Sequence, residues 1–222
     1  MRLVYLFLLC VTATINAMHT NQENAFNKSP FIVAKEQIEH CIAYDNTSTA
    51  KPLLTRYGSK LSQEEKDNYL LSCYARPGMA PLILKLGANA NVHFHCTCTS
   101  CALSGLPNSC KKESILHVAA ARGNPEVVKA LLDYNAYVNA RDAKQETPLM
   151  KACRIHAINA SRGDKRYIGD YMYTIEYLIE AKADRSLINQ EGKTALQIAQ
   201  TEIEDPQRRE IIVNYLACQK IK

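Results

Sequence analysis

Ser114-Ile115-Leu116-His117-Val118-Ala119-Ala120-Ala121-Arg122-Gly123-Asn124-Pro125-Glu126-Val127-Val128-Lys129-Ala130-Leu131-Leu132 reads as two short helices folded back on each other. Ser114 is a capping residue, Leu116, Ala119 and Ala120 share one face, and Gly123 supplies a left-handed stop. Pro125 opens the second helix, whose Val127, Val128, Leu131 and Leu132 form an apolar stripe, and Asn135 closes it with a residue that tolerates positive φ. The helices pack antiparallel, yet such a pair cannot bury its apolar side alone. A neighbour must cover it, and the chain supplies copies. The helix start at Ser114 returns as Thr147-Pro148-Leu149-Met150 and Thr194-Ala195-Leu196-Gln197, at separations of 33 and 47 residues, so one unit carries a 14-residue insertion.

With Asn135-Ala136-Tyr137-Val138-Asn139-Ala140-Arg141-Asp142 following it, the stretch from Glu113 closely resembles an ankyrin repeat. A second unit runs from Thr147 to Cys153 and resumes from Thr174 to Ser186, and a third covers Thr194 to Ala217. Leu82-Ile83-Leu84-Lys85-Leu86-Gly87-Ala88-Asn89-Ala90-Asn91 looks like the end of a degenerate earlier unit. The resemblance implies an all-α ankyrin-repeat solenoid of about 3–4 helix-turn-helix units. It also implies recognition of a protein partner through first-helix faces and hairpin finger tips, which here are Arg141, Asp142, Ala143, Lys144, Gln145, Asn189, Gln190 and Glu191. Two positions depart from the family pattern. Gly192 sits where the finger turn expects glycine, but Gln145 replaces it one unit earlier and Lys182 replaces the glycine that ends a second helix. A less regular turn is therefore expected before Thr147.

Composition narrows the class. A 222-residue chain that is 47% hydrophobic and 22% charged has material for one ordinary folded domain. The net charge of +5 is too small to imply nucleic acid, which leaves protein as the expected partner. Arg2 followed by the apolar run Leu3 to Val11, with small and polar residues ending in Ala17, reads as a secretory signal peptide. That run is about half of the roughly 20 residues needed to cross a bilayer, so no membrane anchor is expected after cleavage. The expected compartment is extracellular or periplasmic, and the expected state is monomeric.

The domain plan follows: residues 1–17 signal peptide, 18–57 a flexible segment plus an N-terminal capping helix, and 58–220 the repeat domain. In the capping helix Ala34, Ile38, Cys41 and Ile42 fall on one face. Asp45 to Thr49 reads as a loop, and Leu61 to Ala75 as a further helix ended by Arg76-Pro77-Gly78.

Two insertions interrupt the repeats. Residues 92–113 form a finger holding His93, His95, Cys96, Cys98, Cys101 and Cys110 without an apolar stripe, so a cross-link must order it. Disulfides are one answer, favoured by export and by eight cysteines besides Cys10. A structural zinc ion is the other, with Cys98 and Cys101 at knuckle spacing, and it is the one cofactor the chain invites. Either would make the Cys96 to Cys110 finger a candidate redox- or zinc-responsive regulator. Residues 158–172 mix Arg162, Lys165 and Arg166 with Tyr167 and Tyr171, a composition enriched in protein contacts, or else form a solvated loop whose tyrosines pack on the helices.

Catalysis finds little support. Cys153 and His156 lie three apart on a helix, but Cys153 aligns with Ala120, a packing position, and His117 matches the structural histidine usual in the family. No phosphate-cradling glycine motif, nucleophile elbow or HExxH occurs, and Glu64-Glu65 and Glu202 read as solvated faces. The chain is expected to be a binding module and not an enzyme. Asn27, Asn46 and Asn159 begin N-glycosylation triplets, which matter only in a eukaryotic secretory pathway.

Overall fold

A computed structural model describes residues 29–94, 113–161, 168–203 and 206–217, leaving out the side chains of 155–161, 168–170 and 208. Among these residues the helices are α1 Pro30–Ala43, α2 Thr47–Tyr57, α3 Gln63–Ser72, α4 Met79–Lys85, α5 Ile115–Arg122, α6 Pro125–Asp133, α7 Pro148–Ser161, α8 Ile168–Glu180, α9 Ala195–Glu202 and α10 Pro206–Ala217. A short 3-10 turn, Gly58–Lys60, follows α2. The expected leader, residues 1–17, lies outside the described residues.

The helices form antiparallel pairs that stack in two layers. In one layer α1 lies against α3, and α5, α7 and α9 lie side by side; in the other α2, α4, α6 and α8 follow one another. One apolar core runs the whole length, from Ile38 through Leu70, Ile83, Leu116, Leu131, Leu149, Ile175 and Ile198 to Leu216. It contains both expected stripes: Leu116, Ala119 and Ala120 of α5, and Val127, Val128 and Leu131 of α6, are buried, with Leu132 half-buried beside them. Truncating one of the fully buried leucines to alanine typically costs about 2–5 kcal/mol, so no single repeat can dispense with its neighbours. The fold is the expected all-α solenoid.

Sequence signals set the ends of each pair. Gly123 takes φ 62° and ψ 44° after α5, and Asn124 then caps α6 by accepting the Val127 N–H. Gly87, Asn135 and Lys182 all take positive φ where the outer helices α4, α6 and α8 end. There the turn is the same: Asn135 N–H donates to Leu132 O at 3.0 Å, and Lys182 N–H to Ile179 O at 2.9 Å. Lysine thus does the glycine's job at a strain of about 1–2 kcal/mol.

Three local readings change. The stretch Asp45 to Thr49 is not a loop throughout, because Asn46 accepts the Thr49 N–H and starts α2 at Thr47. The N-terminal cap is therefore a helical pair, with α1 on α3 and α2 on α4, and α1 buries the expected Ala34, Ile38, Cys41 and Ile42. The turn at Gln145 is as regular as its glycine counterpart. Gln145 takes φ 60° and donates its N–H to Asp142 O, while Gly192 takes φ 73° and donates to Asn189 O, both at 3.0 Å. Lastly, much of insertion 158–172 is helix, since α7 runs to Ser161 and α8 starts at Ile168.

Candidate protein-interaction surface

Each finger turn is organised by one side chain. Asp142 Oδ1 accepts the N–H groups of Lys144 and Glu146 at 2.8 Å, and Asn189 Oδ1 accepts those of Glu191 and Lys193 at 2.9 Å. Both residues are buried, 3% and 6% exposed. Asp142 and Asn189, expected as exposed contact residues, are instead buried, each with one side-chain oxygen committed to building its turn. Arg141, Lys144, Gln145, Gln190 and Glu191 remain exposed.

Neighbouring fingers are bonded to each other. Gln190 N–H donates to Lys144 O at 3.0 Å, its amide Nε2 donates to Ala143 O at 2.9 Å, and the Arg141 guanidinium donates to Ile188 O. Further back, Tyr137 N–H donates to Asn91 Oδ1 at 2.7 Å and Asp184 N–H to Asn139 Oδ1 at 2.8 Å, the same joint one repeat apart. Each such bond contributes about 1 kcal/mol, and together they fix the spacing of the exposed tips.

Behind the fingers lies an ion-pair network that the sequence did not reveal. Lys151 Nζ on α7 reaches Asp142 at 2.8 Å, Glu113 at 2.9 Å and Glu146 at 3.2 Å. Arg154, one turn on, reaches Glu146 at 2.6 Å and both Glu202 carboxylate oxygens at 2.9 Å. Burial works against the charge on Lys151, but hydrogen bonds to Asp142 and Glu113 outweigh it and hold the ammonium above its usual range. Burial likewise opposes ionisation of Asp142, and the hydrogen bonds from Lys151 and the Glu146 N–H overcome it and keep the carboxyl below its usual value. Glu202 and Glu65, read as solvated, are both engaged: Glu65 pairs with Lys35 and accepts the Ser62 N–H at 2.8 Å. Glu113, the Asp142–Glu146 turn and Glu202 stand far apart in the chain, and the stacking of α5, α7 and α9 brings them together.

His117 is wholly buried and structural. Its Nε2–H donates to Glu146 O at 3.0 Å, so Nδ1 is the acceptor and takes the Ser114 N–H at 3.2 Å and faces the Ser114 hydroxyl at 2.8 Å. Burial pushes its pKa down. Cys153 is also fully buried, which pushes its thiol up to about 12 and leaves it protonated and without the character of a nucleophile. Cys41 and Cys73 are further buried free thiols. Three of the eight counted cysteines thus serve as small apolar core residues, and their even number is no argument for bridges.

The remaining candidates divide. Tyr171 is 4% exposed and packs against Gly123, so it is a core residue. Arg162, Lys165, Arg166 and Tyr167 lie outside the described residues, as do His95, Cys96, Cys98, Cys101 and Cys110. His93 is exposed at the base of the finger, where the two strands of chain pair: Phe94 N–H donates to Glu113 O at 2.9 Å and Ile115 N–H to Val92 O at 3.0 Å. Among the described residues no His/Cys/Asp/Glu cluster is arranged to hold a metal, and no helix is long and apolar enough to cross a membrane.

Stacked antiparallel helical pairs with bonded finger turns define a repeat scaffold of the protein-binding class. A family model for ankyrin repeats, in three copies, matches residues 38–162, more than half of the chain. The chain belongs to the ankyrin-repeat family, whose members are in general non-enzymatic scaffolds for protein interaction. None of the curated proteins compared with it matches.

Proposed function

We propose that this chain is an exported ankyrin-repeat protein that binds a protein partner through its finger tips and the inner helix face beside them. The observation that carries the reading is the set of exposed tip side chains, Arg141, Lys144, Gln145, Gln190 and Glu191, held at fixed spacing by bonds between fingers. A surface ordered before binding loses less conformational freedom on association. Export rests on the N-terminal residues Arg2 to Ala17. The basic segment with Arg162, Lys165, Arg166 and Tyr167 is a second contact, supported by its composition. No cofactor is needed for such recognition, and one copy of the chain suffices.

The test is affinity capture from the native compartment with the wild-type chain and with Lys144→Glu/Glu191→Lys. The charge reversals sit at exposed positions, so the fold survives and the captured partner is lost. Retention of the same partner by the variant sinks the finger reading. Because Tyr171 belongs to the core, the insertion is probed by substituting Arg162, Lys165 and Arg166 and not by excision.

A second reading makes the cysteine finger a redox or zinc switch. The isolated bridge between His93 and Ser114 at its base adjoins the His117 hydrogen bonds, so a change in the finger would be felt at the start of α5. Intact mass with and without reductant, together with metal analysis of the purified chain, decides it. A reduced, metal-free finger with unchanged stability excludes the switch.

A further inference from the structure

The side of the molecule formed by the outer helices carries a groove of about 550 Å³ that the finger reading does not use. It crosses three consecutive outer helices, with Pro81 from α4, Glu126 and Asp133 from α6, and Tyr173 and Tyr177 from α8 among its walls. Tyr134 flanks it just beyond α6. These tyrosines are costly to leave in water: Tyr173 is 55% exposed and Tyr134 43%. Tyr173 and Tyr177 stand one turn apart on α8, so both tyrosines line one strip of its surface.

The charges around the strip are uneven. Glu126 and Asp133 stand two turns apart on α6, and neither has a cation partner among the described residues. The groove's one lysine, Lys129, lies over the face of Tyr177 at 5.4 Å from the ring centre. This contact demonstrates that the tyrosine face accepts a cation, and Lys129 forms no ion pair with either carboxylate.

We infer that this groove docks an extended, proline-rich segment of a partner protein that carries arginine. A polyproline II segment presents carbonyl acceptors with few N–H donors, and tyrosine hydroxyls are donors. Proline rings pack on aromatic faces, the mode by which aromatic-lined grooves take such peptides. Arginine pairs with Glu126 or Asp133 in the two-pronged geometry that a carboxylate favours, and its guanidinium also stacks on tyrosine. Three helices at about 9 Å spacing span about 18 Å, which matches about six residues of polyproline II at ~3.1 Å each. The site is separate from the finger tips, so failure of the finger reading leaves it standing.

The probe is a fluorescein-labelled peptide of prolines with two arginines, followed by fluorescence anisotropy on the full chain. Wild type is expected to bind it at least tenfold more tightly than a glycine-serine peptide with the same arginines. Tyr173→Ala is expected to weaken binding about tenfold, as truncating an aromatic hot spot does. Glu126→Lys/Asp133→Lys should weaken it at least as much and admit the peptide with glutamates in place of arginines. All three substitutions are at exposed positions, and circular dichroism verifies that the helices persist. Equal binding of the two labelled peptides, or unchanged binding by Tyr173→Ala, overturns the proposal. So does self-association that Tyr173→Ala abolishes without any peptide binding, which would assign the groove to a second copy of the chain.

Discussion

Gly123 and Gly192 invite the sharpest test of how the pairs are packed, because both need a left-handed backbone and only one is crowded. Their φ values are 62° and 73°. A Cβ on Gly192 would meet nothing within 4 Å, whereas on Gly123 it would lie 2.5 Å from Tyr171 Cε1 and 2.6 Å from Cδ1 and Cζ. Carbon atoms rest at about 3.5–4.0 Å, so the ring must retreat by about 1 Å in a close-packed site. Gly192→Ala therefore pays only the left-handed strain, about 1–2 kcal/mol. Gly123→Ala adds overpacking of about 1–3 kcal/mol, for a total of about 2–5 kcal/mol. Urea unfolding followed by far-ultraviolet circular dichroism measures both. Tyr171→Ala itself costs about 3–5 kcal/mol, but in that background the added cost of Gly123→Ala should shrink to that of Gly192→Ala. Equal costs for the two glycine substitutions in the wild-type background, or strict additivity in the double variant, would refute the packing of Tyr171 on the α5–α6 corner.

Two further outcomes follow from the buried polar groups. His117 has a folded pKa below its unfolded value of about 6.5, so the unfolded chain binds the proton first and stability falls as pH drops below about 6.5, by up to ~1.4 kcal/mol per pH unit. In His117→Gln that component of the slope disappears, as urea midpoints across the pH range will record. Lys151→Met leaves Asp142 and Glu146 buried without their ammonium and should cost about 3 kcal/mol, partly recovered when Asp142→Asn is added; a single variant as stable as wild type would contradict the network.

Much of the fold was legible because an ankyrin pair is built from local chemistry. Ser114, Gly123, Pro125 and Asn135 mark ends by backbone preferences that act within a turn, and Leu116, Val127 and Leu131 declare a face by spacing alone. Thr47 to Tyr57 escaped because its apolar residues are few and Pro52 sits inside it, so nothing in its pattern outweighed the polar start. The turn at Gln145 escaped for a different reason. Propensity disfavours glutamine at positive φ, but the Asp142 carboxylate and the packing of the repeats impose that geometry from outside the local sequence. The site was less legible. Asp142 and Asn189 look like exposed polar tips in the sequence, and only the folded turn reveals that both N–H groups they bind would otherwise be orphaned. Tyr171 could be read as interface or core on composition alone, and Gly123 decides for the core by leaving room for its ring.

Asp142 does more than its counterpart Asn189, and the difference bears on recognition. Either side chain can organise a finger turn, since one oxygen accepts two N–H groups in both. Only the carboxylate has a second, charged oxygen to spare, and Asp142 gives it to Lys151 at 2.8 Å. The first finger is thereby tied to α7 by charge, through Lys151 and Glu146 to Arg154, and onward to Glu202 on α9. The second finger is tied to the first, through Gln190. Displacing one tip thus means breaking bonds in the next repeat as well as its own. A tip built on Asp142→Asn would keep its shape but lose its anchor, which separates the two contributions to any partner's affinity: the contact the tip makes and the rigidity with which it is held.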